Sequence, residues 1–251
     1  MKSTLLVLLL CYAGLCLVLY LLQRQMIYFP QPARAVKGVT TLHFHRAEVP
    51  LQGWQVNGHQ SKALLYYGGN AENIEDNIPF FQQVLSDYTV YLVPYRGYGY
   101  NPGSPAEQAL YNDALWVFDQ LQPRHESIAL MGRSLGSGVA TYVAAHKPVS
   151  RLLLVTPFDS IVNVAKEIYW MFPVSLLLKD KYASVDRVNA ISAPTFIVMA
   201  ERDRVIPRQR TEALIEKFGD RLQASFVIGN AGHNNISMFP DYIISVRQAL
   251  E

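Results

Sequence analysis

From about residue 40 to the end, short apolar runs recur at helix-length intervals, at residues 63–67, 89–93, 128–131, 152–155, 195–200 and 224–228. Two candidate entry strands precede them, at 41–49 and 54–57. The later runs are nearly continuous in Val, Ile, Leu, Met and Phe rather than alternating. A strand apolar on both sides must be covered on both faces, as in a parallel sheet flanked by helices. The gaps suit crossover helices, so the expected fold class is α/β, an open and mostly parallel sheet. The clearest helix start is Ser104-Pro105-Ala106-Glu107, a capping box with proline at the first helical position. It leads into Leu110, Ala114, Leu115, Phe118 and Leu121 at helical spacing. No internal repeat or linker divides residues 40–251. The gap between 155 and 195 is long for one connection and holds Ile168-Tyr169-Trp170-Met171-Phe172-Pro173 and Leu176-Leu177-Leu178. It reads either as a crossover helix with packing residues or as a small cap that shapes an apolar pocket.

A different constraint acts at the start of the chain. Residues 5–22 are apolar except for Gly14 and carry no charge. As a helix they would be about 27 Å long, close to the hydrocarbon core of a bilayer at about 30 Å. A cleavable signal peptide would need small residues soon after the apolar run, and Ala33-Arg34-Ala35 lies too far downstream. Leu15 before Cys16 also disfavours a lipoprotein signal. The expected organisation is a membrane anchor at 1–24 and one globular domain at 25–251, a single-pass membrane protein. Lys2 on one side and Arg24, Arg34 and Lys37 on the other leave the orientation open. Both cysteines, Cys11 and Cys16, fall inside the apolar run, so the domain has no thiol for a disulfide, a nucleophile or a thiolate metal site. With 22 Lys+Arg against 20 Asp+Glu and no basic run, the chain lacks an electrostatic footprint for nucleic acid.

The most informative motif is Gly132-Arg133-Ser134-Leu135-Gly136, which matches the G-x-S-x-G nucleophile elbow. The run before it reads as a buried strand and Gly138-Val139-Ala140-Thr141-Tyr142-Val143-Ala144-Ala145 as the following helix. Glycine on either side lets the backbone turn sharply while the serine hydroxyl projects from the end of the sheet. A serine hydroxyl needs a base to take its proton and a carboxylate to hold that base in one tautomer. In this architecture the acid and the histidine follow the nucleophile in chain order, each after a later strand. The run at 195–200 is followed by Glu201-Arg202-Asp203, and the run at 224–228 by Gly232-His233. His233 is therefore the candidate base, since His146 lies several turns along the elbow helix. Asp203 is the favoured acid, with Glu201 and Asp159 as competitors.

On these residues the chain resembles the α/β-hydrolase superfamily, and within it the membrane-tethered, single-domain serine hydrolases. The resemblance spans residues 25–251. It rests on Ile27-Tyr28-Phe29-Pro30, Tyr67-Gly68-Gly69-Asn70-Ala71, Tyr95-Arg96-Gly97-Tyr98-Gly99, the elbow, Thr156-Pro157-Phe158-Asp159-Ser160, Asp203 with Pro207, and Gly232-His233. It implies an α/β-hydrolase fold, with a mostly parallel eight-stranded sheet flanked by helices and an N-terminal transmembrane helix. It also implies a catalytic triad of Ser134, Asp203 and His233, and an oxyanion hole from the backbone N–H groups of Asn70 and Leu135. Gly68 stands where relatives usually have histidine, and Ala200 where they often have glycine. The implied chemistry is hydrolysis of carboxylic esters or thioesters through an acyl-enzyme, on a small-molecule or lipid-like acyl substrate, with the bilayer engaged through the N-terminal helix. An amidase or peptidase on the same triad, or a non-catalytic protein of the same fold, are the rival classes. Arg96 reads as part of a glycine-turned loop or as a brace for the sheet. His43 and His45 share a probable strand face, but no third metal ligand is near. No G-x-G-x-x-G fingerprint or Walker loop occurs, so neither a cofactor nor a metal is expected.

Overall fold

A computed structural model describes residues 2–46 and 49–251. Ala47 and Glu48, in the expected first strand, and Met1, in the expected anchor, lie outside the described residues. In chain order the elements are α1 (Lys2–Ile27), β1 (Thr40–Phe44), β2 (Leu51–Val56), β3 (Lys62–Tyr67), α2 (Ile78–Val84), β4 (Tyr88–Leu92), α3 (Glu107–Leu121) and β5 (Ser127–Arg133). They continue with α4 (Leu135–Ala144), β6 (Leu152–Val155), α5 (Ile161–Ile168), α6 (Val174–Leu177), β7 (Thr195–Ala200), α7 (Arg208–Phe218), β8 (Leu222–Ile228) and α8 (Pro240–Leu250).

The strands form one eight-stranded sheet in the order β1-β2-β4-β3-β5-β6-β7-β8. β1 and β2 pair antiparallel, β2 pairs antiparallel with β4, and every pairing from β4 to β8 is parallel. The continuous apolar runs follow from the two cores. In β3, Ala63, Leu65 and Tyr67 enter one core with residues of α3 and α4, while Leu64 and Tyr66 enter the other with residues of α2 and α8. In β5, Ile128 and Leu130 face the first core and Ala129 and Met131 the second. Successive side chains on a strand point to opposite faces, so a strand covered twice needs apolar residues at every position.

Two expectations change. β8 is an edge strand, with Gln223, Ser225 and Val227 exposed, so it is covered on one face and not on both. The capping box is not made: α3 starts at Glu107 with Ala106 as N-cap and no side-chain cap. The Glu107 carboxylate instead accepts the backbone N–H groups of Lys181 (2.5 Å) and Tyr182 (2.9 Å) and the Tyr111 hydroxyl (2.8 Å). Two long-range amide donors recruit it away from its own helix start.

The segment after β6 folds as two short helices. α5 is capped by Ser160, whose hydroxyl accepts the Asn163 N–H (3.1 Å), and α5 buries none of its residues. α6 buries Val174 alone. One apolar groove that this insertion lines, with Tyr169, Phe172 and Leu177, runs beside Leu19, Gln23 and Met26 of α1, a second lies among Lys166, Trp170 and Leu176, and neither includes Ser134, Asp203 or His233. α1 is the one described helix long and apolar enough to cross a membrane. It continues to Ile27, past the expected boundary at 24, and Tyr28 directly after it is buried in the first core.

Candidate active site

The serine sits where β5 ends and α4 begins, and crowding there explains the glycines. A Cβ on Gly136 would collide with the carbonyl oxygens of Tyr67 and Gly68, and one on Gly132 would stand 2.7 Å from the Ala140 side chain. Between them Ser134 has φ 50° and ψ −119°, a left-handed conformation that costs an ordinary L-residue energy. The surrounding bonds hold it there. The Ser134 N–H donates to Val155 O (2.9 Å), and Ser134 O accepts from both the Ser137 N–H (2.9 Å) and the Ser137 hydroxyl (2.6 Å).

His233 and Asp203 meet this serine from loops after β8 and β7. His233 Nε2 is 2.9 Å from Ser134 Oγ, and His233 Nδ1 is 2.8 Å from Asp203 Oδ2. A carboxylate oxygen accepts, so Nδ1 carries the proton, and Nε2 offers its lone pair to the serine O–H. The other carboxylate oxygen, Asp203 Oδ1, accepts the N–H groups of Val205 and Ile206, each at 2.8 Å. Four bonds thus fix the imidazole and its carboxylate, and both side chains are less than a tenth exposed.

The competitors are placed elsewhere. Asp159 is buried, but its oxygens accept from Ser160 N–H, Asn163 Nδ2 and Arg210 Nη1. It anchors the root of α5. Glu201 accepts the Asn230 N–H (2.7 Å) on the surface. His146 stacks on Tyr142, its Nδ1 within 2.7 Å of the Tyr142 carbonyl oxygen, beyond the end of α4. Arg96 donates to both oxygens of Asp113 on α3 at 2.6 and 2.5 Å, and Arg46 joins the same carboxylate. Gly97 and Gly99 have φ of 81° and 57°, so that loop is both glycine-turned and braced. His45 lies beyond the end of β1, and among the described residues no three His, Cys, Asp or Glu side chains are grouped to hold a metal.

The loop after β3 lies against the serine, because a Cβ on Gly69 would be 3.7 Å from that of Ser134. Leu135 is the first residue of α4, where a helix has no internal acceptor for its N–H. Asn70 sits in the loop with its buried Oδ1 unpaired. Around Gly68 and Gly69 the chain holds this loop with groups that the sequence alone did not single out. Glu72 Oε2 accepts the Gly69 N–H (2.5 Å), Glu72 Oε1 accepts the Tyr66 hydroxyl (2.8 Å) and Asn77 Nδ2, and Tyr95 donates to Gly68 O (2.8 Å). Arg133, the variable residue of the elbow, lies 3.5 Å from Glu72 Oε1 and donates to His233 O (3.2 Å). The loop beside the serine and the backbone of the histidine are therefore tied through one ion pair. Burial first, and the Glu72 charge second, push the Tyr66 hydroxyl well above its ordinary range, and burial does the same for Tyr95. Both stay neutral donors. The only hints in sequence were two charged residues, Glu72 and Arg133, close to apolar motifs.

No protein-family model matches the chain. The uncharacterized protein Rv2307c of Mycobacterium tuberculosis is 30% identical over 239 residues, covering 89% of this chain and 84% of the relative. Lysophosphatidylserine lipase ABHD12 of Danio rerio is 32% identical over 188 residues, 65% of this chain but 49% of the lipase, so the match spans about half of that protein. Alpha/beta hydrolase domain-containing protein 17C of Mus musculus is 26% identical, over 74% of this chain and 58% of the relative. Among solved structures, the Pyrococcus furiosus esterase Pf2001 superposes with TM-score 0.70 at 16% identity, covering 89% of this chain and 98% of the esterase. Strand order, elbow and relatives agree: the chain belongs to the α/β-hydrolase superfamily.

Proposed function

We propose that this protein is a membrane-anchored serine hydrolase that cleaves carboxylic esters or thioesters of small or lipid-like acyl groups. The observation that carries this reading is the continuous relay from Ser134 Oγ through His233 to Asp203, at 2.9 and 2.8 Å. His233 Nε2 removes the proton as Ser134 Oγ attacks the carbonyl carbon. The carbonyl oxygen takes up the electron pair and is held by the N–H groups of Asn70 and Leu135, the second of them at the positive end of α4. The intermediate collapses, the alcohol or thiol leaves with the proton from His233, and the acyl group stays on Ser134. Water then attacks that ester while His233 takes its proton, and His233 returns the proton to Ser134 Oγ as the acyl–oxygen bond breaks and the acid is released. Asp203 holds the imidazole in one tautomer and balances its charge while it is protonated. The lipase and esterase relatives support ester substrates. In the same reading α1 anchors residues 25–251 to a bilayer, which its uncharged apolar length supports.

The test is labelling of the full chain by a fluorophosphonate, beside Ser134→Ala, followed by turnover of matched acyl esters, thioesters and amides. Serine-dependent labelling with ester or thioester turnover is the expected result. A folded protein that does not label would place it among non-catalytic relatives, and a preference for amides would make it an amidase.

A further inference from the structure

We propose that the α5–α6 insertion is a second membrane-contacting element, seated in the acyl chains of one leaflet beside α1. This rests on the reading of α1 as a bilayer anchor.

The contacts between the two segments are graded along the helix. At its C-terminal end they are polar and charged. Arg24 Nε pairs with Asp180 Oδ2 (3.0 Å), Gln23 exchanges bonds with Leu177 O (3.0 Å) and the Lys179 N–H (2.6 Å), and Lys179 Nζ lies 3.9 Å from the centre of the Tyr20 ring. Farther toward the N-terminus the Tyr12 hydroxyl donates to Met171 O (2.8 Å), and its ring stacks on Phe172 with centroids 5.7 Å apart. Twelve residues of helix separate Arg24 from Tyr12, about 18 Å along the axis. One leaflet contributes about half of a hydrocarbon core about 30 Å thick. If Arg24 and Asp180 lie at headgroup level, the tip of the insertion lies about one leaflet deep for an upright helix, and less deep for a tilted one. An anchored α1 cannot keep its contacts with Met171 and Phe172 unless the insertion enters the bilayer with it.

The side chains at that tip fit such a seat. Ile168, Trp170, Met171 and Leu176 are 61–84% exposed in the chain by itself. An apolar group of this size, continuous with a bare apolar helix, marks an interaction surface. The gradient from charged pairs near residue 24 to an aromatic and aliphatic tip near residue 12 matches the polarity of a leaflet read inward, and this selects lipid over a soluble partner.

The experiment uses the full chain in phosphatidylcholine vesicles, with and without lipids brominated in the acyl chains, and reads the emission that Trp170→Phe removes. Trp54 is buried and Trp116 half-buried, so the difference isolates Trp170. The expected result is about a twofold or greater loss of this emission with brominated lipids and a similar fall in its quenching by acrylamide relative to detergent. Met171→Trp in the Trp170→Phe background should respond in the same way. Flotation with the vesicles separates the two readings. A chain that does not float overturns both the anchor and this proposal. One that floats while Trp170 remains open to acrylamide and untouched by bromine overturns this proposal alone. Shielding from acrylamide without bromine quenching also overturns it, since another copy of the chain would then cover the tip.

Discussion

The elbow around Ser134 and the α5–α6 insertion are both short apolar pieces beside the C-terminal ends of strands, yet they are built in opposite ways. Every residue of α4 except Tyr142 is buried, and the glycines before and within it stand where a single added carbon meets backbone or a side chain. In α5 no residue is buried, and Trp170 and Leu176 are among the most exposed large apolar side chains of the protein. Crowding inside the chain dictates the composition of the first region. In the second region Ile161 and Val164 pack on the first core, but Ile168, Trp170, Met171 and Leu176 stay exposed, and packing within the chain does not account for their apolar character.

Substitutions in the elbow should therefore be severe, and the largest effect is expected at the hydroxyl itself. Ser134→Ala should lower kcat/KM by about 10⁴-fold or more while leaving the melting temperature essentially unchanged, as measured by ester turnover and thermal unfolding. Gly136→Val inverts that pattern. Its side chain would meet the Tyr67 and Gly68 carbonyl oxygens, which are backbone and cannot rotate away. A loss of stability of about 3 kcal/mol or more in denaturant unfolding is expected, with activity falling alongside. If Gly136→Val unfolds like the parent chain, the account of the elbow by crowding is wrong.

A smaller effect should separate holding the loop from doing the chemistry. The Glu72 carboxylate takes donors on both oxygens, from Gly69 on one and from Tyr66 and Asn77 on the other. An amide has a single acceptor oxygen, so Glu72→Gln must leave one set of donors facing an N–H₂ group. On the proposed mechanism this loop supplies the Asn70 oxyanion donor, so loosening it should cost about 10-fold in kcat, with KM changed far less, since the ground state gains little from that donor. Glu72→Asp, which keeps the charge at shorter reach, should recover part of the loss. An equal rise in KM with kcat intact would show that the carboxylate shapes binding instead.

These residues also show what the sequence could reveal. The strands were legible because burial on both faces leaves unbroken apolar runs, and Leu64 and Leu65 could not otherwise both be covered. The edge strand β8 was less so, because an edge and a centre differ in what lies beyond them. Ser134, Asp203 and His233 could be singled out since each follows a strand, and the sheet brings strand ends together wherever they fall in the chain. Glu72, Arg133 and Tyr95 could not, because their partners lie across loops with no local periodicity. Glu107 failed for the related reason that its capping role lost to the amides of Lys181 and Tyr182, about 75 residues away.

The smallest effect is expected in the insertion, and it tests the comparison most directly. Leu176 is 84% exposed, whereas Leu154 on β6 is fully buried between helix layers. Removing the Leu154 side chain with Leu154→Ala should cost about 2–5 kcal/mol, through lost burial and the cavity left behind. Leu176→Ser removes as much apolar surface, but in detergent that surface has no protein around it to lose. Its unfolding free energy should change by no more than about 0.5 kcal/mol. Both are read by the same denaturant titration of the full chain, so the contrast is internal to one measurement. A destabilisation by Leu176→Ser comparable to that by Leu154→Ala would mean that the exposed tip of the insertion packs on the domain after all. Its apolar residues would then belong to the core, and the reason for seeking their partner outside the chain would disappear.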